Sequence, residues 1–230
     1  MRHELERPTR RRGFLGTLTA LLATGISGGL SARLVAERLP ASDGDIDTSD
    51  RWLLRLRGRH RQLFDMPDPE GGAGLLHVLN YLDTYNRAYQ TKDAEINAVV
   101  TFYGRTVPLA MNDAMWAKYP FGRILNLTDG ATAQPLARNM FAHPRAGDPF
   151  ANGTFGASIE ALRARGVTFI LCNNALGVWA GRLGRAGLGS ANAIRADLTA
   201  NTLPGVTIVP GMTVAINKAQ EKGLTYMRMG

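Results

Sequence analysis

The amino-acid sequence predicts an α/β domain with a mostly parallel sheet and helices on both of its faces. Two observations predict this class. Stretches rich in β-branched and apolar residues alternate along the chain with stretches whose apolar residues recur at three- and four-residue spacing. In addition, residues 167–172 form a continuous apolar run, which is typical of a strand covered on both faces. The predicted strands are residues 59–64, 95–103, 167–172, 206–209 and 224–229.

Helices are predicted between these strands. The clearest is residues 74–89, where apolar side chains recur along one face of a helix. Residues 120–153 are dense in Gly, Pro, Asn and Asp, which predicts an irregular insert with one short helix near residues 133–141. The other predicted helices are residues 107–118, 155–165, 175–183, 191–202 and 212–222.

Residues 1–41 of the 230-residue chain are predicted to be an export signal of the twin-arginine type. Arg11 and Arg12 stand two residues before Phe14, and an uncharged, weakly apolar stretch follows as far as Leu30. Glycine and serine dilute this stretch, so it makes a poor permanent membrane span. We therefore expect a periplasmic protein that touches the membrane only through the signal, if the signal stays uncleaved.

Residues 42–57 are acidic at first and then arginine-rich, and they are predicted to be a linker. Residues 58–230 are predicted to be the folded domain. A chain of this size can build one full hydrophobic core.

The net charge of +8 does not indicate a nucleic-acid partner. Seven arginines and three glutamates lie in residues 1–41, so half of the excess belongs to the predicted signal. The remaining charge is scattered and forms no basic stripe with interleaved aromatics. The sequence has no phosphate-binding loop, and His77, Asp113 and His143 lack metal-ligand spacing, so neither a cofactor nor a metal is expected.

Cys172 is the single cysteine of the chain, so no internal disulfide can form. It ends the predicted buried strand at 167–172 and stands directly before a helix. The free backbone N–H groups of a helix N-terminus favour a reactive thiolate. The alternative is a small buried core residue, which is how a free cysteine usually behaves.

Ligands of parallel sheets bind beyond the carboxyl ends of the strands. Asp65, Tyr103, Asn173 and Asn174 follow or end predicted strands and are therefore candidate binding residues. Asn173 or Asn174 is also expected to cap the following helix, because asparagine accepts hydrogen bonds from free N–H groups.

Three more residues are candidates on the predicted helices. His77 is a candidate base or orienting group for Cys172, and the alternative is an exposed or capping histidine. Asp113 and Trp116 are candidates for lining a pocket over the end of the sheet. The alternative for this pair is a core tryptophan and a surface carboxylate.

Several segments resemble DsrE/DsrF-like proteins. Residues 165–176, RGVTFILCNNAL, resemble the fourth-strand segment of that family, and residues 203–211 and 215–226 resemble its tail. Residues 64–65 with Gly72, the helix around residues 79–82, and residues 109–116 are similar to a larger, exported branch. The resemblance implies a DsrE-like three-layer α/β/α sandwich and frequent homo-oligomers. It also implies that Cys172 occupies the position that carries persulfide sulfur in the sulfur-relay members.

Three functions remain open on these grounds. The first is an exported protein that binds or relays sulfur as a persulfide on Cys172, with a sulfur donor or acceptor protein as partner. The second is a non-catalytic module that binds a small molecule or a protein at the sheet end and the insert, with Cys172 buried. The third is an oligomeric scaffold without a ligand.

Overall fold

The computed structural model of this chain describes residues 48–229. The predicted export signal lies outside the described residues. Across residues 48–229, no helix combines the length and the apolar character needed to cross a membrane.

Five parallel strands form one sheet in the order β4-β3-β2-β1-β5. This confirms the predicted α/β class with a parallel sheet and helices on both faces. Each strand lies within two residues of its predicted bounds, because its apolar run marks it clearly. The strands are β1 His60–Asp65, β2 Ile96–Phe102, β3 Thr168–Cys172, β4 Thr207–Val209 and β5 Thr225–Arg228.

Within residues 48–229, seven α-helices connect and cover these strands. They are α1 Ala73–Ala88, α2 Asp113–Lys118, α3 Phe121–Leu125, α4 Ile159–Ala164, α5 Asn173–Arg185, α6 Ala191–Ala200 and α7 Met212–Glu221. The 3₁₀ turns include Thr48–Arg55 and Gly104–Ala110. The predicted helix at 107–118 is thus two elements. Pro108 lies in the 3₁₀ turn and Asn112 caps α2 by accepting a hydrogen bond from Met115 N.

The two faces of the sheet carry separate hydrophobic cores, because successive side chains of a strand point to opposite faces. On the first face, Phe64 and Val100 pack with α1, α5 and α6. On the second face, Leu63, Val99 and Ile170 pack with α7 and the turn Thr48–Arg55. The result is three layers, with the sheet in the middle.

The segment predicted as a linker contributes to the second face. Trp52 is only 1% exposed and packs with Leu53 and Leu56 in the second-face core. Asp50 forms an ion pair with Lys218 of α7. The prediction of a linker was therefore wrong for residues 48–56, since these residues belong to the domain.

The insert at 120–153 is irregular, as predicted, but its apolar side chains are packed. Phe141 and Phe150 are buried and meet edge to face, with ring centroids 6.0 Å apart. The short helix predicted near residues 133–141 is absent, and α3 lies earlier in the insert instead. Buried side chains and a salt bridge between Arg138 and Asp148 organise these residues in place of regular structure.

The strand order reverses at β1. The chain moves from β1 through β2 and β3 to β4, and it then returns through α7 to place β5 on the other side of β1. Such a reversal is where open parallel sheets most often bind ligands, at the carboxyl ends of the strands. The carboxyl ends of β1 and β5 are therefore a candidate place for a site.

Candidate functional site

Asp65 lies at the carboxyl end of β1 and is 2% exposed. Its carboxylate accepts three hydroxyl hydrogen bonds, from Thr101 Oγ1 at 3.0 Å, Tyr103 OH at 3.1 Å and Tyr226 OH at 2.6 Å. A buried carboxylate is tolerated when donors of this kind replace the lost water. The structure thus brings together the predicted candidates Asp65 and Tyr103, and it adds Tyr226, which the sequence did not indicate.

The two tyrosines of this cluster act as donors. Burial, followed by the charge of Asp65 and the hydrogen bond to it, raises the pKa of Tyr103 to about 12. The hydrogen bond to Asp65 is the main cause that raises the pKa of Tyr226. Both hydroxyls therefore stay protonated at neutral pH. The cluster is a satisfied network of hydrogen bonds that ties β1, β2 and β5 together.

Cys172 ends β3 on the second face and is 6% exposed. It packs in the same core as Val209 and Met212, and Tyr103 packs against that core. Cys172 is also the residue from which α5 begins, and its side chain makes no capping hydrogen bond. The predicted place of the thiol, directly before a helix, is therefore correct, and the thiol is largely covered.

His77 does not partner Cys172. It is exposed on α1, whose buried residues Leu75 and Val78 belong to the first-face core, whereas Cys172 belongs to the second-face core. The sheet therefore separates the two side chains. The prediction required α1 to start beside the thiol, but α1 packs on the first face, whereas strand alternation places the Cys172 side chain on the second.

Asn173 and Asn174 do not cap α5 with their side chains. The helix begins at Asn173 itself, so the predicted start at residue 175 was two residues late. The Asn173 side chain accepts a hydrogen bond from Arg195 Nη2 at 2.9 Å. Asn174 is exposed and its side-chain nitrogen lies close to Gly211, in the turn before α7. These contacts hold α5 to its neighbours.

Asp113 and Trp116 both make contacts that support the fold. Trp116 is 1% exposed and donates its indole N–H to Pro108 O at 2.8 Å. Asp113 accepts a hydrogen bond from Asn139 N at 2.7 Å and so anchors the insert. Trp116 is therefore a core residue and Asp113 is a surface carboxylate, as the alternative prediction for this pair stated.

A groove that the sequence did not predict runs on the first face between α1, β1 and β5. Its volume is about 700 Å³. Aromatic side chains form its floor and one wall, and the edge strand β5 contributes Met227 opposite Phe64. The residues that line it are Arg59, His60, Phe64, His77, Asn80, Tyr81, Thr84, Tyr85, Tyr89 and Met227.

The aromatic rings of the groove form one continuous row, in which Phe64–Tyr81 and Tyr81–Tyr85 meet edge to face and His60–Tyr85 is tilted. The His60 and Tyr85 ring centroids are 4.1 Å apart, those of Tyr81 and Tyr85 are 5.0 Å apart, and those of Phe64 and Tyr81 are 5.4 Å apart. Burial, with Tyr85 as a further cause, raises the pKa of Tyr81 to about 12. The spacing of Tyr81, Tyr85 and Tyr89 at four residues was the available signal. On sequence alone that spacing indicates an amphipathic helix with its apolar face in the core.

Comparison with protein-family models finds no match, and neither the curated proteins nor the solved structures contain a match to this chain. Among the described residues 48–229, no group of three His, Cys, Asp or Glu side chains could hold a metal ion. The site is therefore defined by its own geometry. It is an aromatic groove that runs between α1 and the β1–β5 edge of the sheet, and the hydroxyl–carboxylate cluster lies on the opposite face.

Proposed function

We propose that this domain is a binding module that holds a small aromatic molecule in the groove between α1, β1 and β5. The observation that carries the proposal is the row of edge-to-face and tilted rings, His60, Phe64, Tyr81 and Tyr85, along a groove of about 700 Å³. Sites for small molecules have volumes of this order and combine apolar walls with a few polar groups. The export signal predicted at residues 1–41 would make it a periplasmic binding module.

The chemistry of the wall supports an aromatic ligand. Aromatic pairs prefer offset or edge-to-face contacts and contribute about 0.5–1.5 kcal/mol beyond the area that they bury. Tyr89 and Met227 are 69% and 44% exposed, so a ligand can still cover much apolar surface there. A thioether such as that of Met227 also makes favourable contacts with aromatic rings.

The burial of Cys172 supports a non-catalytic reading of this domain. A thiol that transfers sulfur has to meet its donor and its acceptor, and Cys172 is packed among apolar side chains of the second face. The groove lies on the first face and does not include Cys172. We therefore propose binding in the groove as the function, with Cys172 as a core residue.

The test is NMR chemical-shift mapping with 2-naphthamide, an uncharged aromatic probe. A ligand of about 13 non-hydrogen atoms at roughly 0.3 kcal/mol per atom should bind with a Kd on the order of 1 mM. We expect shifts at Phe64, Tyr85 and Met227. The variant Thr84→Trp should remove them, because the indole fills the groove from an exposed position on α1.

The matched control is Thr213→Trp, which makes the same change at an exposed position of α7 on the second face. It should leave binding of 2-naphthamide unchanged. If the probe causes no shifts in the wild-type groove at 10-fold its expected Kd, or if Thr84→Trp binds it equally well, the groove is not the site.

Sulfur relay on Cys172 is the second candidate. It is favoured by the position of Cys172 at the start of the 13-residue helix α5, whose first N–H groups have no side-chain cap. The resemblance to DsrE/DsrF-like proteins supports the same position. The apolar side chains that cover the thiol argue against sulfur relay, and sulfur relay is therefore the second candidate.

Intact-mass spectrometry after polysulfide treatment distinguishes the two candidates. Because Cys172 is buried, we expect an unmodified mass in the native protein and modification only after unfolding in denaturant. The Cys172→Ala variant is the blank for sulfur added elsewhere. A native mass gain of whole sulfur atoms that reductant reverses and that Cys172→Ala lacks would establish the relay and refute the purely structural role of Cys172.

A further inference from the structure

Three side chains of the groove have nitrogen atoms that no hydrogen bond or ion pair occupies. Arg59, His60 and His77 make no side-chain hydrogen bond or ion pair with another residue of the described range 48–229. Arg59 is exposed, and its guanidinium is charged at any physiological pH. Unpaired donors around an apolar groove are available to a ligand.

The groove contains no negative charge to balance Arg59. Among the described residues, no aspartate or glutamate lines it, and its other polar side chains are neutral. The nearby carboxylate of Asp83 is already paired with Arg165 Nη1 at 2.7 Å and with Arg87 Nη2 at 3.0 Å. The electrostatic environment of the groove therefore favours an anion.

The positions of these groups along the groove fix how a ligand would lie. His77 and Tyr85 are eight residues apart on α1, which corresponds to roughly 12 Å along the helix. Arg59 immediately precedes β1 and lies at the end where Tyr85 stacks on His60. The rings occupy the middle of the groove, and a cation stands at this end.

The carboxyl terminus of α1 lies toward the same end of the groove as Arg59 and disfavours an anion there. Its partial negative charge is about half an elementary charge and acts only over the last turn. Tyr89 N and Thr91 N already donate to Tyr85 O, at 3.1 and 3.3 Å, which reduces that effect. The full positive charge of Arg59 therefore outweighs this partial charge, and the potential at this end of the groove is positive.

We infer that the groove binds an aromatic carboxylate, whose ring packs on Tyr81 and Tyr85 and whose acid group pairs with Arg59. This inference rests on the proposed function, because it names the chemical class of the ligand in the same groove. A planar guanidinium matches a carboxylate with two parallel hydrogen bonds, so Arg59 is suited to hold the acid group of such a ligand.

The experiment compares 2-naphthoate with 2-naphthamide, which has the same ring and nearly the same size without the charge. We expect wild type to bind 2-naphthoate about fivefold more tightly at low salt, the upper end of what an exposed ion pair contributes. The preference should shrink as salt is raised to 0.5 M, because salt screens exposed pairs. Arg59→Met should bind both probes equally.

Arg57→Met is the matched control. Arg57 stands two residues earlier, is exposed and does not line the groove, so the variant should keep the preference for 2-naphthoate. Equal binding of both probes by wild type, with Thr84→Trp removing both, would overturn the aromatic-carboxylate class and leave the binding function standing. A preference that survives in Arg59→Met would overturn the role of Arg59. If neither probe binds, the proposed function fails and the inference with it.

Discussion

Replacing Trp52 with alanine is expected to lower the free energy of unfolding by about 3–5 kcal/mol, the usual loss for truncating a buried tryptophan. Trp52 lies at the centre of the cover on the second face, where Thr48–Arg55 packs against β4. Removing the indole leaves a cavity between this turn and the sheet. Urea denaturation followed by circular dichroism measures the loss.

The control is Trp52→Phe, which keeps an aromatic ring in the same place. Trp52 Nε1 is buried without a hydrogen-bond partner among the described residues, so its loss removes an unsatisfied donor. The smaller ring and the lost donor act in opposite directions, and we expect a net change of roughly 1 kcal/mol or less. If Trp52→Ala unfolds at the same urea concentration as wild type, residues 48–56 are not part of the cooperative domain.

The strands could be predicted because each is a compact apolar run with clear ends. The run at 167–172 is buried on both faces in the structure, as its composition requires. The order of the strands could not be predicted in the same way. It depends on contacts between distant segments, such as β1 with β5, that leave no local pattern in the sequence.

The segment at 48–56 shows how composition misleads. Its charged residues are typical of a solvated linker, and Arg51 and Arg55 are indeed exposed. Three buried apolar residues, Trp52, Leu53 and Leu56, are nevertheless enough to join the second-face core beside α7. A short 3₁₀ turn has a period close to three, which a search for helical or strand periodicity does not detect.

The candidate site was predicted only in part, for a similar physical reason. Asp65 and Tyr103 were found because the rule about strand ends needs only the strand assignments. The pairing of His77 with Cys172 required knowledge of the sheet face, which is set by register. The aromatic groove exists because β5 leaves one side of α1 uncovered. The tyrosines that the sequence pattern assigns to a core therefore line an open surface instead.

Arg138→Ala is the second substitution for which we expect a loss of about 3–5 kcal/mol in the free energy of unfolding. Arg138 pairs through both terminal nitrogens with Asp148, whose side chain is 2% exposed, and Arg145 N also donates to Asp148 Oδ2 at 2.6 Å. Truncating Arg138 leaves that carboxylate buried without its counter-charge, which is the costly way to break such a pair. Because Phe141 and Phe150 bring the insert into the first-face core, the loss should appear in the global unfolding transition.

The double variant Arg138→Met with Asp148→Leu separates the ion pair from simple loss of packing. It removes both charges and keeps apolar bulk, so it should recover most of the stability that Arg138→Ala loses. Arg163→Ala is the control for an exposed pair, since Arg163 meets Glu160 at 2.7 Å on the surface of α4 and should change stability by less than about 1 kcal/mol. If the double variant is as unstable as Arg138→Ala, the charge pair is not what holds the insert. The insert would then depend on the shape of its apolar side chains alone, and the buried carboxylate would be tolerated through its backbone donor.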